Sequence, residues 1–212
     1  MKKVGVVRFL GTNCDRDIIQ ACETFGHQPS WLWYEDEFDP ASVDAVIIPG
    51  GFSYGDYLRC GAIAAKAPVM KSVAEFSKLG KPILGICNGF QILCEAGLLP
   101  GVLLPNESGL FVDKWVQLKK GSSSQHWGAQ LEGARLPVAH GEGRFYLDSE
   151  GLKSLEDNNQ VWWRYEENVN GSLNDIAGIL NKEKNVAGLM PHPERAIFEW
   201  MGGKDGAEFF TL

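Results

Sequence analysis

The chain has 212 residues, of which 44% are hydrophobic and 22% are charged, and its formal net charge at pH 7 is -7. This length predicts a single domain over residues 1–212, with a core that needs no disulfide or metal to stabilise it. The negative charge argues against nucleic acid as a partner, because phosphate binding requires a basic surface.

Strands and helices alternate in the first half of the chain. Strands are predicted at 3–9, 28–34, 43–48 and 82–86, and helices at 15–25, 69–79 and 88–96. The helices show apolar residues at helical spacing, and Gly26 and Gly80 are their stop signals. This alternation predicts an α/β fold with a mostly parallel sheet and helices on both faces, a three-layer arrangement whose sites lie at the carboxyl ends of the strands.

The second half of the chain is less regular. Strands are predicted at 114–118, 134–139, 161–165, 176–180 and 185–190, and a short helix or loop at 149–158. Residues 121–130 are rich in serine and glycine, so we expect a mobile surface loop there. Trp162, Trp163 and Tyr165 suit either a core strand or an interface, and the core is favoured because aromatic residues in a strand usually pack inward.

The cysteines indicate a reducing compartment. They are Cys14, Cys22, Cys60, Cys87 and Cys94. Their number is odd and no Cys-x-x-Cys pair occurs, so neither a disulfide framework nor a zinc site is expected, and most should be small buried hydrophobes. The N-terminus lacks a signal-peptide pattern and no apolar run could span a membrane, so we expect a cytoplasmic protein without a membrane partner.

Cys87 has a different sequence context. It lies between a predicted strand and a predicted helix, with Gly85 and Gly89 two positions away on either side. This is the pattern of a nucleophile elbow with sulfur in place of hydroxyl. The turn would place the thiol at a helix N-terminus, which favours thiolate, and would direct the N–H of Asn88 at an oxyanion. The pattern is short, so an ordinary core thiol remains the alternative.

A second glycine turn follows the strand at 43–48. Pro49-Gly50-Gly51 ends that strand, and a turn without side chains can bring a backbone N–H close to a ligand. We expect the second oxyanion donor to come from Gly51 or Phe52. A simple surface loop is the alternative, because this tripeptide is common in turns.

Two histidines are candidates for the base that a thiol hydrolase needs. His140 and His192 each have a glutamate two residues later, whereas His27 is expected on the surface and His126 in the mobile segment. Prolines flank His192 and favour extended backbone, in which Glu194 would point the same way as the ring. Fixed geometry favours His192, but His140 with Glu142 remains open from the residues alone.

Three segments together resemble the class I, triad-type glutamine amidotransferases, whose fold is flavodoxin-like. They are Gly85-Ile-Cys-Asn-Gly-Phe-Gln91, Pro49-Gly-Gly51 and Pro191-His-Pro-Glu194. The resemblance implies that Cys87 attacks a glutamine amide, that His192 and Glu194 complete the triad, and that Gln91 helps to bind substrate. It also settles the choice between the two histidines in favour of His192.

Further segments resemble one branch of that family, the glutaminase subunits that supply ammonia for amination of formylglycinamide ribonucleotide in purine synthesis. They are Gly11-Thr-Asn-Cys-Asp15, the run from Gly50 to Arg59, Ala139-His-Gly-Glu-Gly-Arg144 and Met190-Pro-His-Pro-Glu-Arg195. The resemblance spans nearly the whole chain. It implies a ligase complex with a large synthase subunit, and the separate-subunit form also suggests a small bridging subunit.

The implied reaction runs through a glutamyl thioester on Cys87 and requires no metal or cofactor in this chain. ATP and magnesium are expected on the synthase, since the sequence contains no Gly-x-x-x-x-Gly-Lys phosphate loop. His140 and Glu142 are expected to serve substrate-side structure or contact with the synthase. Two alternatives remain: a thiol hydrolase or peptidase of the same fold acting on another substrate, and a non-catalytic binding module.

Overall fold

A computed structural model describes residues 1–212 and contains eleven strands and four α-helices. The strands are β1 (Lys3–Arg8), β2 (Gln28–Trp33), β3 (Ala45–Ile48), β4 (Ile83–Ile86), β5 (Val102–Leu104), β6 (Val112–Lys120), β7 (Gly133–His140), β8 (Arg144–Tyr146), β9 (Val161–Tyr165), β10 (Ile176–Leu180) and β11 (Val186–Leu189). The helices are α1 (Asp15–Thr24), α2 (Val69–Lys78), α3 (Asn88–Glu95) and α4 (Ser149–Asp157). None of the helices has both the length and the apolar character that a membrane crossing requires.

Nine of the strands form one sheet in the order β2-β1-β3-β4-β11-β10-β9-β6-β7. The first five are parallel to one another, and the last four are joined by antiparallel pairings. The predicted α/β class, with helices layered on both faces of a large sheet, is confirmed. The order 2-1-3-4 of the parallel half is that of flavodoxin-like sheets.

The order of the parallel strands locates a crevice. The chain passes from β1 to β2 on one side and returns to β3 on the other side of β1, so the direction of winding reverses between β1 and β3. Ligands in open α/β sheets bind outside the carboxyl ends of the strands at such a switch point. Residues that follow β1, β3, β4 and β11 therefore meet at one edge of the sheet.

The predicted elements of the first half match the structure to within two residues, and those at 161–165 and 176–180 match without change. Two short strands, β5 and β8, were not predicted and form a separate antiparallel pair. The helix-or-loop alternative at 149–158 is resolved as α4, which Asp148 caps by accepting a hydrogen bond from the N–H of Gly151 at 2.7 Å.

Two surface predictions were wrong. Residues 121–130 contain no helix or strand, but Trp127 within them is fully buried in the hydrophobic core, so the segment is not simply a surface loop. His27 is also buried, because its Nε2 lies 2.7 Å from the carbonyl oxygen of Phe210 near the C-terminus. Neither the burial of Trp127 nor the contact between His27 and Phe210 is indicated by the neighbouring residues in the sequence.

The hydrophobic core is a single cluster of 54 buried residues that runs along both halves of the sheet. Trp162, Trp163 and Tyr165 are each 0% exposed, which confirms their predicted place in the core. Both tryptophans pack near Phe209, with ring centroids 5.6 and 5.9 Å from that ring. All five cysteines are free and buried, as predicted for most of them.

Candidate active site

Cys87 occupies a strained turn between β4 and α3. Its backbone has φ 50° and ψ -106°, a positive φ that residues with side chains rarely adopt. A side chain at Gly89 would collide with the carbonyl oxygen of Ile48, and one at Gly85 would lie 2.6 Å from the carbonyl oxygen of Gly89. The two flanking glycines are therefore a steric requirement of this turn, as the elbow pattern predicts.

The turn holds the thiol at the floor of a crevice. Cys87 is 6% exposed and lies just before the first residue of α3, at the N-terminal end of that helix. Cys87 lines two adjoining cavities of about 200 and 160 Å³. The residue thus borders the crevice at the carboxyl ends of the strands.

His192 and Glu194 form a buried pair after β11. Nδ1 of His192 lies 2.6 Å from Oε1 of Glu194, and the two side chains are 3% and 0% exposed. The backbone of His192 is extended, and its N–H donates to the carbonyl oxygen of Pro137 at 2.8 Å. The predicted contact between His192 and Glu194 is present, but the segment is extended only at His192, because Pro193–Arg195 form a short 3-10 helix.

The imidazole of His192 has an unusual charge environment. Burial alone would lower its pKa, but the carboxylate of Glu194 and the sulfurs of Cys87 and Cys14 raise that pKa well above the usual value. Nε2 has no hydrogen-bond partner within the protein although it is buried. The ring is therefore oriented at Nδ1 and free at Nε2, as a base and proton donor should be.

Gly50 separates the thiol from the imidazole. A Cβ at this position would lie 2.7 Å from Cε1 of His192, 3.4 Å from Cβ of Cys87 and 3.3 Å from Sγ of Cys14. No side chain fits between these groups, so a glycine is needed for their close approach. Cys87 and His192 both line the 160 Å³ cavity, and the structure thus brings together the residues predicted from opposite halves of the chain.

The two residues of the glycine turn that were candidate oxyanion donors differ in whether their N–H groups are free. The N–H of Phe52 donates to the carbonyl oxygen of Gly11 at 3.0 Å, so Phe52 is not a free donor and that alternative was wrong. The N–H groups of Gly51 and Asn88 have no acceptor within the protein. Gly51 also lines both cavities beside Cys87. These two amides are the pair available to an oxyanion.

Gln91 is held in a hydrogen-bond network at the cavity wall. Its Oε1 accepts from Nδ2 of Asn88 at 2.9 Å, and its Nε2 donates to the carbonyl oxygen of Glu142 at 2.6 Å. Oδ1 of Asn88 accepts from the N–H of Ser53 at 3.1 Å. The network links the loop after β3, the start of α3 and the segment after β7, so its role in the structure is to fix the shape of the cavity.

His140 does not pair with Glu142. Its Nδ1 lies 3.0 Å from Oδ1 of Asn106, which also accepts from the N–H of Gly143. Burial and the nearby His192 lower the pKa of His140 to about 4. Because Asn106 presents an oxygen, His140 carries its proton on Nδ1 and has a bare acceptor at Nε2. The competing His-x-Glu pair is therefore not formed, because His140 is oriented by the amide oxygen of Asn106 and not by a carboxylate.

Sequence reasoning missed Cys14, which it treated as a bland buried hydrophobe. Cys14 follows β1, and its sulfur lies 3.2 Å from Nη2 of Arg195, which also pairs with Asp17. Ligand atoms of Cys14, His192 and Glu194 lie within 4.8 Å of one another. These three could hold a metal ion, but the adjacent guanidinium of Arg195 makes the position unfavourable for a cation. Burial raises the pKa of Cys14.

The other three cysteines are unreactive by environment. Burial raises the pKa of Cys22 to about 12 and raises the pKa of Cys94 further. Burial, followed by the charge of Asp56 and the proximity of Glu142, raises the pKa of Cys60. Thiols of this kind do not act as nucleophiles at neutral pH.

Comparison with known proteins places the whole chain in one group. The sequence profile of the CobB/CobQ-like glutamine amidotransferase domain matches residues 1–205. A chain in the structure of PurLQS from Thermotoga maritima is 46% identical, with a TM-score of 0.90, and the match covers 99% of this chain and 96% of that one.

Two more distant structures share the fold. A candidate GMP synthase component from Thermoplasma acidophilum is 15% identical, with a TM-score of 0.66 and coverage of 100% of this chain and 92% of that chain. A glutamine amidotransferase from Thermotoga maritima is 21% identical, with a TM-score of 0.59, and the match covers 92% of this chain and 76% of that chain. At these identities the likeness concerns the fold alone.

Proposed function

The chain belongs to the CobB/CobQ-like glutamine amidotransferase family, and from this membership we propose that it is the glutaminase subunit of a phosphoribosylformylglycinamidine synthase. It hydrolyses the side-chain amide of glutamine and delivers ammonia to a synthase subunit, which aminates formylglycinamide ribonucleotide in purine biosynthesis. The observation that carries this proposal is the 46% identity to a PurLQS chain over 99% of the sequence. The complex as a whole is a ligase with glutamine as the amide donor.

The geometry of the crevice accounts for the first half of the reaction. The Cys87 thiolate attacks the amide carbon of glutamine, and the N–H groups of Gly51 and Asn88 are available to stabilise the oxyanion. The protonated imidazole of His192, oriented by Glu194, donates its Nε2 proton to the leaving nitrogen. Ammonia departs and a glutamyl thioester remains on Cys87.

The second half restores the thiol. The neutral imidazole of His192 takes a proton from water, and the hydroxide attacks the thioester carbon. The tetrahedral intermediate collapses, glutamate leaves, and the sulfur is released as thiolate beside the imidazolium. Every proton is moved by one ring nitrogen, which explains why Nε2 is left without a structural partner.

The product imposes a requirement for partners. Ammonia released to bulk water is protonated and is no longer a nucleophile, so the synthase subunit must receive it through a shielded route. We propose that a small third subunit bridges the two, that ATP and magnesium bind the synthase, and that this chain uses no metal or cofactor. The cytoplasm is the proposed location, since the other substrates of purine biosynthesis are found there.

The test is co-purification with a candidate synthase followed by a glutamine-dependent amination assay with formylglycinamide ribonucleotide and ATP. We expect one glutamate released per amidine formed. The Cys87→Ala variant should lose glutamine-dependent activity but retain amination when ammonium chloride is supplied. Absence of glutamine hydrolysis with the synthase present would contradict the proposal.

The same purified proteins distinguish this function from two alternatives. A thiol hydrolase or peptidase of this fold would hydrolyse another amide and ignore glutamine in the complex. A non-catalytic binding module would leave Cys87 unmodified by a glutamine-like electrophile, whereas the strained, cavity-lining position of Cys87 predicts covalent labelling.

A further inference from the structure

The backbone N–H groups of the loop after β3 alternate in direction. Those of Phe52 and Tyr54 donate to carbonyl oxygens of the segment after β1, at 3.0 and 2.7 Å. The N–H of Ser53 points the other way and donates to Oδ1 of Asn88 at 3.1 Å. Because alternate N–H groups along a strand-like backbone face the same side, the free N–H of Gly51 is directed like that of Ser53.

The side chain of Asn88 is held at both of its polar atoms. It is 1% exposed, its Oδ1 accepts from Ser53, and its Nδ2 donates to Oε1 of Gln91 at 2.9 Å. Gln91 is in turn anchored by its donation to the carbonyl oxygen of Glu142 at 2.6 Å. A flipped amide would face the N–H of Ser53 with its own NH2 group, so the orientation of Asn88 follows from its partners.

The loop needs an anchor because its backbone is strained. Three successive residues, Tyr54, Gly55 and Asp56, have positive φ values of 52°, 66° and 56°. Such conformations persist where the surrounding structure imposes them. A second link to α3 is the ion pair of Arg59 with Glu95, but its guanidinium is 65% exposed, and exposed pairs contribute little. The buried amide contact is therefore the stronger restraint on this loop.

One residue thereby serves both amides that are available to an oxyanion. The backbone N–H of Asn88 is itself free and follows Cys87 directly, while the side chain of Asn88 holds the loop that carries the N–H of Gly51. The anchored N–H of Ser53 is only two residues beyond that of Gly51. A shift of the loop would move the Gly51 donor but leave the thiol in place, because the thiol belongs to the turn between β4 and α3.

We propose that the side chain of Asn88 is a positioning group, which directs the N–H of Gly51 at the oxyanion that forms beside Cys87. This inference rests on the proposed function, since the oxyanion arises from the amide of glutamine. The side chain acts through Gly51, because both of its polar atoms are occupied within the protein. Its loss should slow the formation of the tetrahedral intermediates and have little effect on glutamine binding.

The test compares two reactions of the Cys87 thiolate that differ in their need for an oxyanion donor. Glutamine hydrolysis by the complex with the synthase passes through tetrahedral intermediates and requires one. Alkylation by iodoacetamide does not, because the sulfur bonds to the methylene carbon, iodide leaves and no oxyanion forms. The variants are Asn88→Ala and Asn88→Leu, which lack the side-chain acceptor and keep the backbone N–H. The matched control is Asn158→Ala, an exposed asparagine at the end of α4.

In both variants kcat for glutamine should fall about 10- to 100-fold, because a misplaced donor loses much of its effect on the transition state. KM and the alkylation rate should stay within about threefold of wild type, and the control should match wild type in all three. An unchanged kcat in both variants overturns the inference, and so does an alkylation rate that falls as much as kcat, which would indicate a general collapse of the site. If one variant does not fold, the other gives the same comparison. Inactivity of the wild-type complex toward glutamine would instead overturn the proposed function.

Discussion

Oε1 of Glu194 lies 2.6 Å from Nδ1 of His192 in a position that is almost completely shielded from solvent. An isolated carboxylate would be very costly there, and an isolated imidazolium would be as well. Each group offsets the cost of burying the other. The pair therefore links folding stability with catalysis, and replacing one partner should disturb both.

The Glu194→Gln variant tests the catalytic side of this pair. The amide keeps the size of the carboxylate but cannot stabilise the imidazolium that protonates the leaving ammonia and that forms again when water is deprotonated. We expect kcat for glutamine hydrolysis to fall by about 10³- to 10⁴-fold, with a small change in KM. Glutamate release by the complex measures it, and Glu150→Gln, an exposed residue of α4, is the control. A loss confined to KM would show that Glu194 acts in binding and not through His192.

The same variant tests the pH dependence of stability. The folded-state pKa of His192 is raised well above its unfolded value of about 6.5, by Glu194 and Cys87 against the effect of burial. A raised pKa stabilises the fold below the unfolded pKa, and this contribution is lost as pH rises through the folded pKa. The free energy of unfolding of the wild type should exceed that of Glu194→Gln by ~3 kcal/mol at pH 6, and the difference should be smaller under alkaline conditions. Urea unfolding at several pH values measures it, and a difference that grows with pH would contradict the assignment.

Gly50→Ala tests the spacing of the thiol and the imidazole. The added methyl group would lie 2.7 Å from Cε1 of His192, so the ring must shift. We expect kcat to fall by about 10²-fold with little change in unfolding midpoint, because a displacement near 1 Å is enough to disturb the reacting geometry. Gly203→Ala, whose methyl group would lie 3.2 Å from the Trp115 ring, is the comparison variant and should keep full activity. Full activity of Gly50→Ala would show that the ring has room to move.

The sequence predicted the parts of the site that depend on local backbone geometry. The elbow at Cys87 follows from flanking glycines, and the contact between His192 and Glu194 follows from alternating prolines. The strands and helices of the first half were predictable because buried parallel strands and amphipathic helices have distinct patterns. Roles in catalysis are not tested by geometry alone and stay predictions.

What could not be predicted depends on contacts between distant segments. Arg195 and Cys14 are 181 positions apart in the sequence, and they meet only because β1 and β11 end at the same edge of the sheet. The choice between Gly51 and Phe52 required knowledge of the hydrogen bond from Phe52 to Gly11. The burial of His27 likewise depends on the folding of the C-terminal segment back to Phe210. The two members of each pair are too far apart in the sequence for a local pattern to indicate the contact.

Two thiols approach one imidazole, and covalent labelling should distinguish them. Cys14 is 3% exposed, its pKa is raised by burial, and its sulfur is bonded to Arg195, whereas Cys87 lies at a helix N-terminus in the substrate cavity. Because only thiolate reacts, a diazo-ketone analogue of glutamine should modify Cys87 at least about tenfold faster than Cys14. Peptide mapping by mass spectrometry measures the two rates.

The control for this labelling experiment is the Cys14→Ser variant. It removes the second sulfur and keeps a small polar group beside the imidazole, so Cys87 should still react fully and with one label per chain. The Cys87→Ser variant should take up no label at Cys14 in the same time. Rapid modification of Cys14 in that variant would mean that this thiol also ionises beside His192, and the assignment of a single nucleophile would then be wrong.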